Sequence, residues 1–98
     1  IEVPTLGVQA LLKQGIRMSC YPNPFNTSFS IQLTLEEQAS TDVWLIDVFG
    51  RRVKNIQSGN LARGINELNV SSEDLAKGIY YCVATINGQL VQQMVIKQ

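Results

Sequence analysis

Two thiols and a handful of carboxylates are the side chains of this 98-residue chain that could do covalent or acid–base chemistry. Cys20 and Cys82 form no CxxC pair, and with no histidine in the sequence neither belongs to a set of metal ligands. No metal site and no cofactor are expected, and a histidine-dependent catalytic triad cannot be built from this chain. In an oxidising compartment the two cysteines could bridge, provided the fold brings their Cα atoms within disulfide range. Such a bridge would close roughly 60 residues and contribute on the order of 4 kcal/mol in the loop-entropy account. Two small thiols filling an apolar core is the equal alternative.

The carboxylates point away from catalysis. Glu36-Glu37 and Glu73-Asp74 sit in polar stretches, where solvated charge accounts for them better than a general acid and base held together in a cleft. Asp47 is the one acid inside an apolar run, and three positions later comes Gly50, the spacing of a tight turn whose backbone amides an Asp side chain accepts. Arg51 and Arg52 follow that turn and read as solvated charges. Trp44, Tyr21, Tyr80 and Tyr81 could stack on sugar rings, but adjacent residues on a strand point to opposite faces, so packing is the better account. Eight basic and eight acidic residues cancel, which leaves no field to attract nucleic acid.

The elements that must position these residues are strands. From Ile16 onward the apolar residues recur at every second position. Ile16, Met18 and Cys20 share one face of a strand that ends at Pro22, and Phe29, Ile31, Leu33 and Leu35 share one face of the next. "TDVWLIDVF" is more continuously apolar, as in a central strand covered on both sides, with Trp44 opposite Val43 and Leu45. A hairpin through "DVFGRRV" leads into a fourth strand, "QSGNLARG" reads as a loop, and "INELNV" as a fifth strand. "SSEDLAKG" has the look of one helical turn capped by Ser71 or Ser72, with Leu75 plugging the core and Gly78 as its exit. The last two strands flank Asn87-Gly88, the strongest short hairpin signal. Residues 1–15 read as a linker and 16–98 as one antiparallel β-sandwich of about seven short strands.

Between the first two strands stands "CYPNPFN". Two prolines in three residues fix two φ angles and remove two amide donors, which makes a stiff corner rather than a strand interior. That corner, "VWLIDVFGRRV", "LAKGIYY" and a closing "MVIK" occur in this order. Together they resemble the type A C-terminal sorting domain of the type IX (Por) secretion system of Bacteroidetes-like bacteria, over about residues 16–97.

The resemblance implies a non-catalytic address that takes an N-terminally linked passenger through the periplasm and across the outer membrane to the cell surface or beyond. It implies a seven-stranded antiparallel Greek-key, Ig-like β-sandwich over residues 16–98, an outer-membrane translocon as partner, and a cell-surface sortase that removes the domain, with residues 1–15 as the linker or cleavage region. Carried over by position, the candidate recognition residues are Pro22, Asn23 and Pro24; Asp47, Gly50 and Arg51; Gly78 and Tyr80; and Met94, Val95, Ile96 and Lys97. The chain departs from the pattern at Gln93, where a lysine often stands, and in adding Gln98 after the final lysine. An edge position for the last strand would also permit an edge-strand dimer. Deleting residues 93–98 is expected to abolish export and leave the core largely folded. The alternative reading is an Ig-like structural or carbohydrate-binding sandwich appended to a secreted enzyme.

Overall fold

A computed structural model describes residues 15–98, so the expected linker, Gly15 apart, lies outside the described residues. Seven strands follow: β1 (Arg17–Tyr21), β2 (Ser28–Leu35), β3 (Ala39–Ile46), β4 (Arg52–Leu61), β5 (Gly64–Ser71), β6 (Gly78–Ile86) and β7 (Gln89–Lys97). They form two antiparallel sheets, one in the order β1-β2-β5 and the other β4-β3-β6-β7. The chain passes between sheets after β2, β4 and β5, which is the expected Greek-key sandwich.

Period-two patterning sets which faces meet. Met18 and Cys20, then Phe29, Ile31, Leu33 and Leu35, line the inner face of the three-stranded sheet. Val43, Leu45, Tyr80, Cys82, Ala84, Ile86, Val91 and Val95 line the inner face of the other. Burying this apolar surface is the main favourable term in the fold, and it fixes register, because a one-residue slip would turn every one of these side chains outward.

β4 departs from alternation in the sequence. Val53 and Ile56 are three residues apart, yet both pack against the core. The ladder to β3 makes room by shifting register twice, from Val43↔Gln57 to Trp44↔Asn55 and from Leu45↔Lys54 to Ile46↔Arg52. Each shift is a bulge that absorbs one extra residue and re-aims the side chain.

Three expectations need correction. The stretch "QSGNLARG" is mostly strand: Gln57 to Leu61 continue β4, because β3 already starts at Ala39 and offers it partners down to Ala39↔Leu61. Thr41 Oγ1 also donates to the Gly59 carbonyl at 2.7 Å, holding this end of the ladder. "SSEDLAKG" is a turn and not a helical one. A single Leu75 N–H to Ser72 carbonyl bond of 3.0 Å closes it. The would-be cap is engaged elsewhere: Ser72, fully buried, donates its amide to the Thr27 carbonyl at 2.9 Å and its hydroxyl to the Asn26 carbonyl at 3.2 Å. Leu75 does pack against the core. Finally, β3 is central in its sheet but covered on one side only; Asp42, Trp44 and Ile46 on its outer face are half-buried by their neighbours alone.

The β6–β7 hairpin turns at Asn87 (φ 50°) and Gly88 (φ 85°), with positive φ at both central residues as a type I′ turn requires. Gly88→Ala should therefore destabilise the domain by about 1–2 kcal/mol, read as a lower urea midpoint with an unchanged slope; an unchanged midpoint would show that the turn does not set the hairpin.

Candidate functional site

The proline corner is where the two sheets are sewn together. After β1 leaves its sheet, both Tyr21–Pro22 and Asn23–Pro24 are cis and the chain crosses to the free edge of β7. There the Asn23 side chain acts as a short piece of strand. Its Nδ2 donates to the Met94 carbonyl at 2.9 Å and its Oδ1 accepts the Ile96 amide at 3.0 Å. Phe25 continues the pairing: its amide donates to the Ile96 carbonyl at 2.9 Å, its carbonyl accepts the Gln98 amide at 2.8 Å, and it bridges Lys97 in parallel sense. The Phe25 ring is buried against Phe29, centroids 4.6 Å apart, so the corner is anchored in the core as well as on the edge.

Lys97 closes the same end from the other side. Its backbone pairs with Gly78 at the start of β6, and its ammonium donates to the carbonyls of Ser72 and, at 2.8 Å, of Leu75. An amine held by turn carbonyls is a substitute for water around a cation, and it locks the terminal strand to the 72–75 turn. Tyr80 serves that turn too. Its ring faces the core and its hydroxyl donates to the Ala76 carbonyl at 2.6 Å, four residues upstream. Lys54 reaches across from β4 to Asp74 at 3.3 Å.

The Asp47 turn lies beside this cluster, since Ile46 pairs with Tyr81. Asp47 Oδ1 accepts the amides of Phe49 at 2.9 Å and Arg51 at 3.0 Å, while Oδ2 accepts Arg51 Nε at 2.9 Å. Gly50, at φ 83°, supplies the conformation that lets the chain return. Desolvation is the largest single influence on this carboxyl and pushes it up, but the bonds from the Arg51 amide and guanidinium and the Phe49 amide together outweigh it and hold it below the usual carboxylate range. Asp47 is thus a turn-former, as its spacing predicts.

The candidate residues therefore meet at one end of the four-stranded sheet, but they do not all face outward. Tyr80 and Val95 are core residues, at 7% and 0% exposure, and can only position others. Met94 is open to solvent. Residues beyond the motifs join the surface: Val48 and Phe49 at the hairpin tip, 59% and 79% exposed, and Ile79 near the start of β6. A shallow groove lined by Ile46, Asp47, Val48, Gly50, Tyr81 and Gln92 runs from the turn onto β7. Sequence reading passed over Val48 and Phe49 because apolar residues in a strand run are expected to be buried. Their position inside the Asp47 to Gly50 turn was the available signal.

The arginines are less free than expected: the Arg52 guanidinium lies 4.0 Å over the Trp44 ring and that of Arg51 5.4 Å from Phe49. The four aromatic rings do not all share one face. Trp44 and Tyr81 are on the outer face of one sheet, Tyr21 bonds Glu67 on the outer face of the other, and Tyr80 is inside.

Compared with known proteins, residues 19–98 match the family described as "Secretion system C-terminal sorting domain". No curated protein sequence matches the chain. Among solved structures, an alkylpurine DNA glycosylase AlkC of Pseudomonas fluorescens, bound to DNA containing an abasic site analog, is 13% identical with a TM-score of 0.48. The match covers 93% of this chain but 36% of that one.

Two outcomes follow for the site. Asn23→Ala removes both side-chain bonds to β7, so amide exchange at Ile96 should accelerate while amides paired inside β6 stay protected, with a loss of about 1–2 kcal/mol overall; unchanged exchange at Ile96 would show the latch to be idle. Because the Asp47 carboxyl is held low, the stability its turn bonds contribute is fully present above the unfolded value of about 4 and is lost as pH falls through the lower folded value. A carbon-detected NMR titration should place the Asp47 midpoint below 4, with the Phe49 and Arg51 amide shifts moving in step, and a midpoint above 4 would contradict the assignment.

Proposed function

Because the chain belongs to the type IX secretion C-terminal sorting domain family, we propose that the end of the sandwich where the proline corner, the Asp47 turn, the start of β6 and β7 converge is the face that the outer-membrane translocon reads. Family membership makes the domain a secretion signal whose destination, across the outer membrane, is the cell surface or the medium. The observation that carries the proposal is convergence. Pro22 to Pro24, Asp47 to Arg51, Gly78 and Met94 to Lys97 are scattered in sequence and gathered by backbone pairing and the Lys97 and Asn23 bonds. Such a surface exists only in the folded domain, so it reports folding as well as identity. Its stiffness lowers the ordering cost of docking, and Val48, Phe49, Ile79 and Met94 offer exposed apolar contact.

The geometry suits an address attached to cargo. Ile16, leading into β1, lies with Leu35, Ala39, Ile86 and Asn87 at the other end of the sandwich. A passenger joined before it leaves the domain opposite the candidate docking face. A cell-surface sortase would then cut in the segment ahead of β1, and the domain itself does no chemistry.

The reading is tested by fusing residues 1–98 behind a periplasmic reporter in a type IX-competent host and in one lacking the translocon. Reporter should reach the surface or medium in the first host only; reporter retained in the periplasm of both sinks the proposal. Deleting residues 93–98 is not a clean control, contrary to expectation, since it removes fully buried Val95 and half of the β6 pairing. Phe49→Ser and Met94→Ser are better, because both side chains are exposed. They should leave melting within a degree or two and reduce export several-fold, and undiminished export would move the docking face elsewhere.

A further inference from the structure

Cys20 and Cys82 have a use that the docking surface does not absorb. Cys20 lies on β1, the edge strand of the three-stranded sheet, paired with Ile31; Cys82 lies on β6 in the opposite sheet, paired with Leu45 and Gln93. Both side chains point between the sheets, at 6% and 0% exposure, and both are free thiols. Both belong to the one buried cluster that fills the space between the sheets, and Cys20 is the neighbour that most perturbs the Cys82 thiol. They are the two cysteines of the chain, so each has the other as its one possible disulfide partner within it. Cys20 stands two residues before Pro22, and Cys82 two residues after Tyr80.

We propose that in the exported protein Cys20 and Cys82 are joined by a disulfide that staples the two sheets together directly behind the proline corner and the start of β6. The inference takes from the export reading only the oxidising compartment through which the chain passes. Closure forms one Sγ–Sγ bond and breaks two S–H bonds. Through a mixed disulfide with one of the two cysteines, the two electrons and, by way of solvent, the two protons pass to the disulfide of a periplasmic thiol oxidoreductase, which leaves as its dithiol.

The folded structure also sets when this happens. Contact with Cys20, burial and the Cys20 charge all push the Cys82 thiol well above the ordinary range, so once the sheets have packed it is a poor nucleophile. An oxidoreductase cannot reach sulfurs enclosed in the core. The bond therefore closes while the sheets are still coming together, and afterwards the same burial shields it from reductants.

The test is a thiol count on the fusion used for export. Protein recovered from medium, surface and periplasm is denatured with an alkylating agent and no reductant. Neither cysteine should label, both should label after reduction, and peptide mapping should find the Cys20 peptide joined to the Cys82 peptide. Labelling of both without reduction, or either cysteine joined to a different chain, overturns the proposal. Location and thiol count are separate readouts: a bridged but periplasmic protein keeps the disulfide and rejects the export reading, and an exported protein with two free thiols does the reverse. As a second measure, purified residues 1–98 refolded in oxidising glutathione buffer should melt higher than the same protein refolded reduced, by about 10 °C or more. The Cys20→Ala/Cys82→Ala double variant should show no such difference, and equal melting of the two wild-type samples would count against the staple.

Discussion

The outer edge of β7 carries amides and carbonyls that sheet pairing leaves open, and the rest of this structure is arranged around how the chain satisfies them from its own first corner. Asn23 and Phe25 take the positions that a further strand would occupy against Met94, Ile96 and Gln98. The edge is covered without being lengthened, which protects it from indiscriminate pairing along its terminal half. The cover must come from sequence that can stop being a β1 strand and change sheets within a few residues. A proline on either side of an asparagine does this: the prolines need no amide partners, and the side-chain amide of Asn23 offers a donor and an acceptor at once.

That single arrangement makes distant parts of the sequence depend on one another. Ser72 can be buried only because the carbonyls of Asn26 and Thr27 come to meet it, and those residues are placed by Phe25 in the core. Lys97 can hold the carbonyls of Ser72 and Leu75 only because β7 is fixed on both sides. The Asp47 turn is self-contained by comparison, closed by its own side chain, and joins the cluster through strand pairing alone.

This difference in range explains what was legible in the sequence. Local chemistry was readable: the Asp47 and Asn87-Gly88 turns, the inward faces of β1 and β2, and the seven strands all follow from period and turn residues a few positions apart. The far end of β4 was misread because Gln57 to Asn60 carry no apolar alternation, and only pairing with β3 as far as Ala39 makes them strand. The 72–75 segment was misread because Ser72 looks like a helix cap until the strands bring a buried carbonyl to its hydroxyl. The family motifs identified where to look on the surface but not how it is built. That Asn23 binds β7 by its side chain, or that Tyr80 and Val95 face inward while Val48 and Phe49 face out, depends on long-range packing that a one-dimensional pattern does not contain.

The parallel course of β1 and the end of β7 also has a mechanical side. β1 enters beside the far end of the sandwich and runs toward the corner, and Phe25 meets Lys97 in parallel sense. A pull on whatever precedes Ile16, with the domain gripped near β7, is directed along β1. Its bonds to β2 run across the strand, from Arg17↔Thr34 to Tyr21↔Ser30. The load falls on all of them together in shear, whereas a peeling geometry would break them singly. A handle loaded in that direction resists traction best where its cargo is tied on.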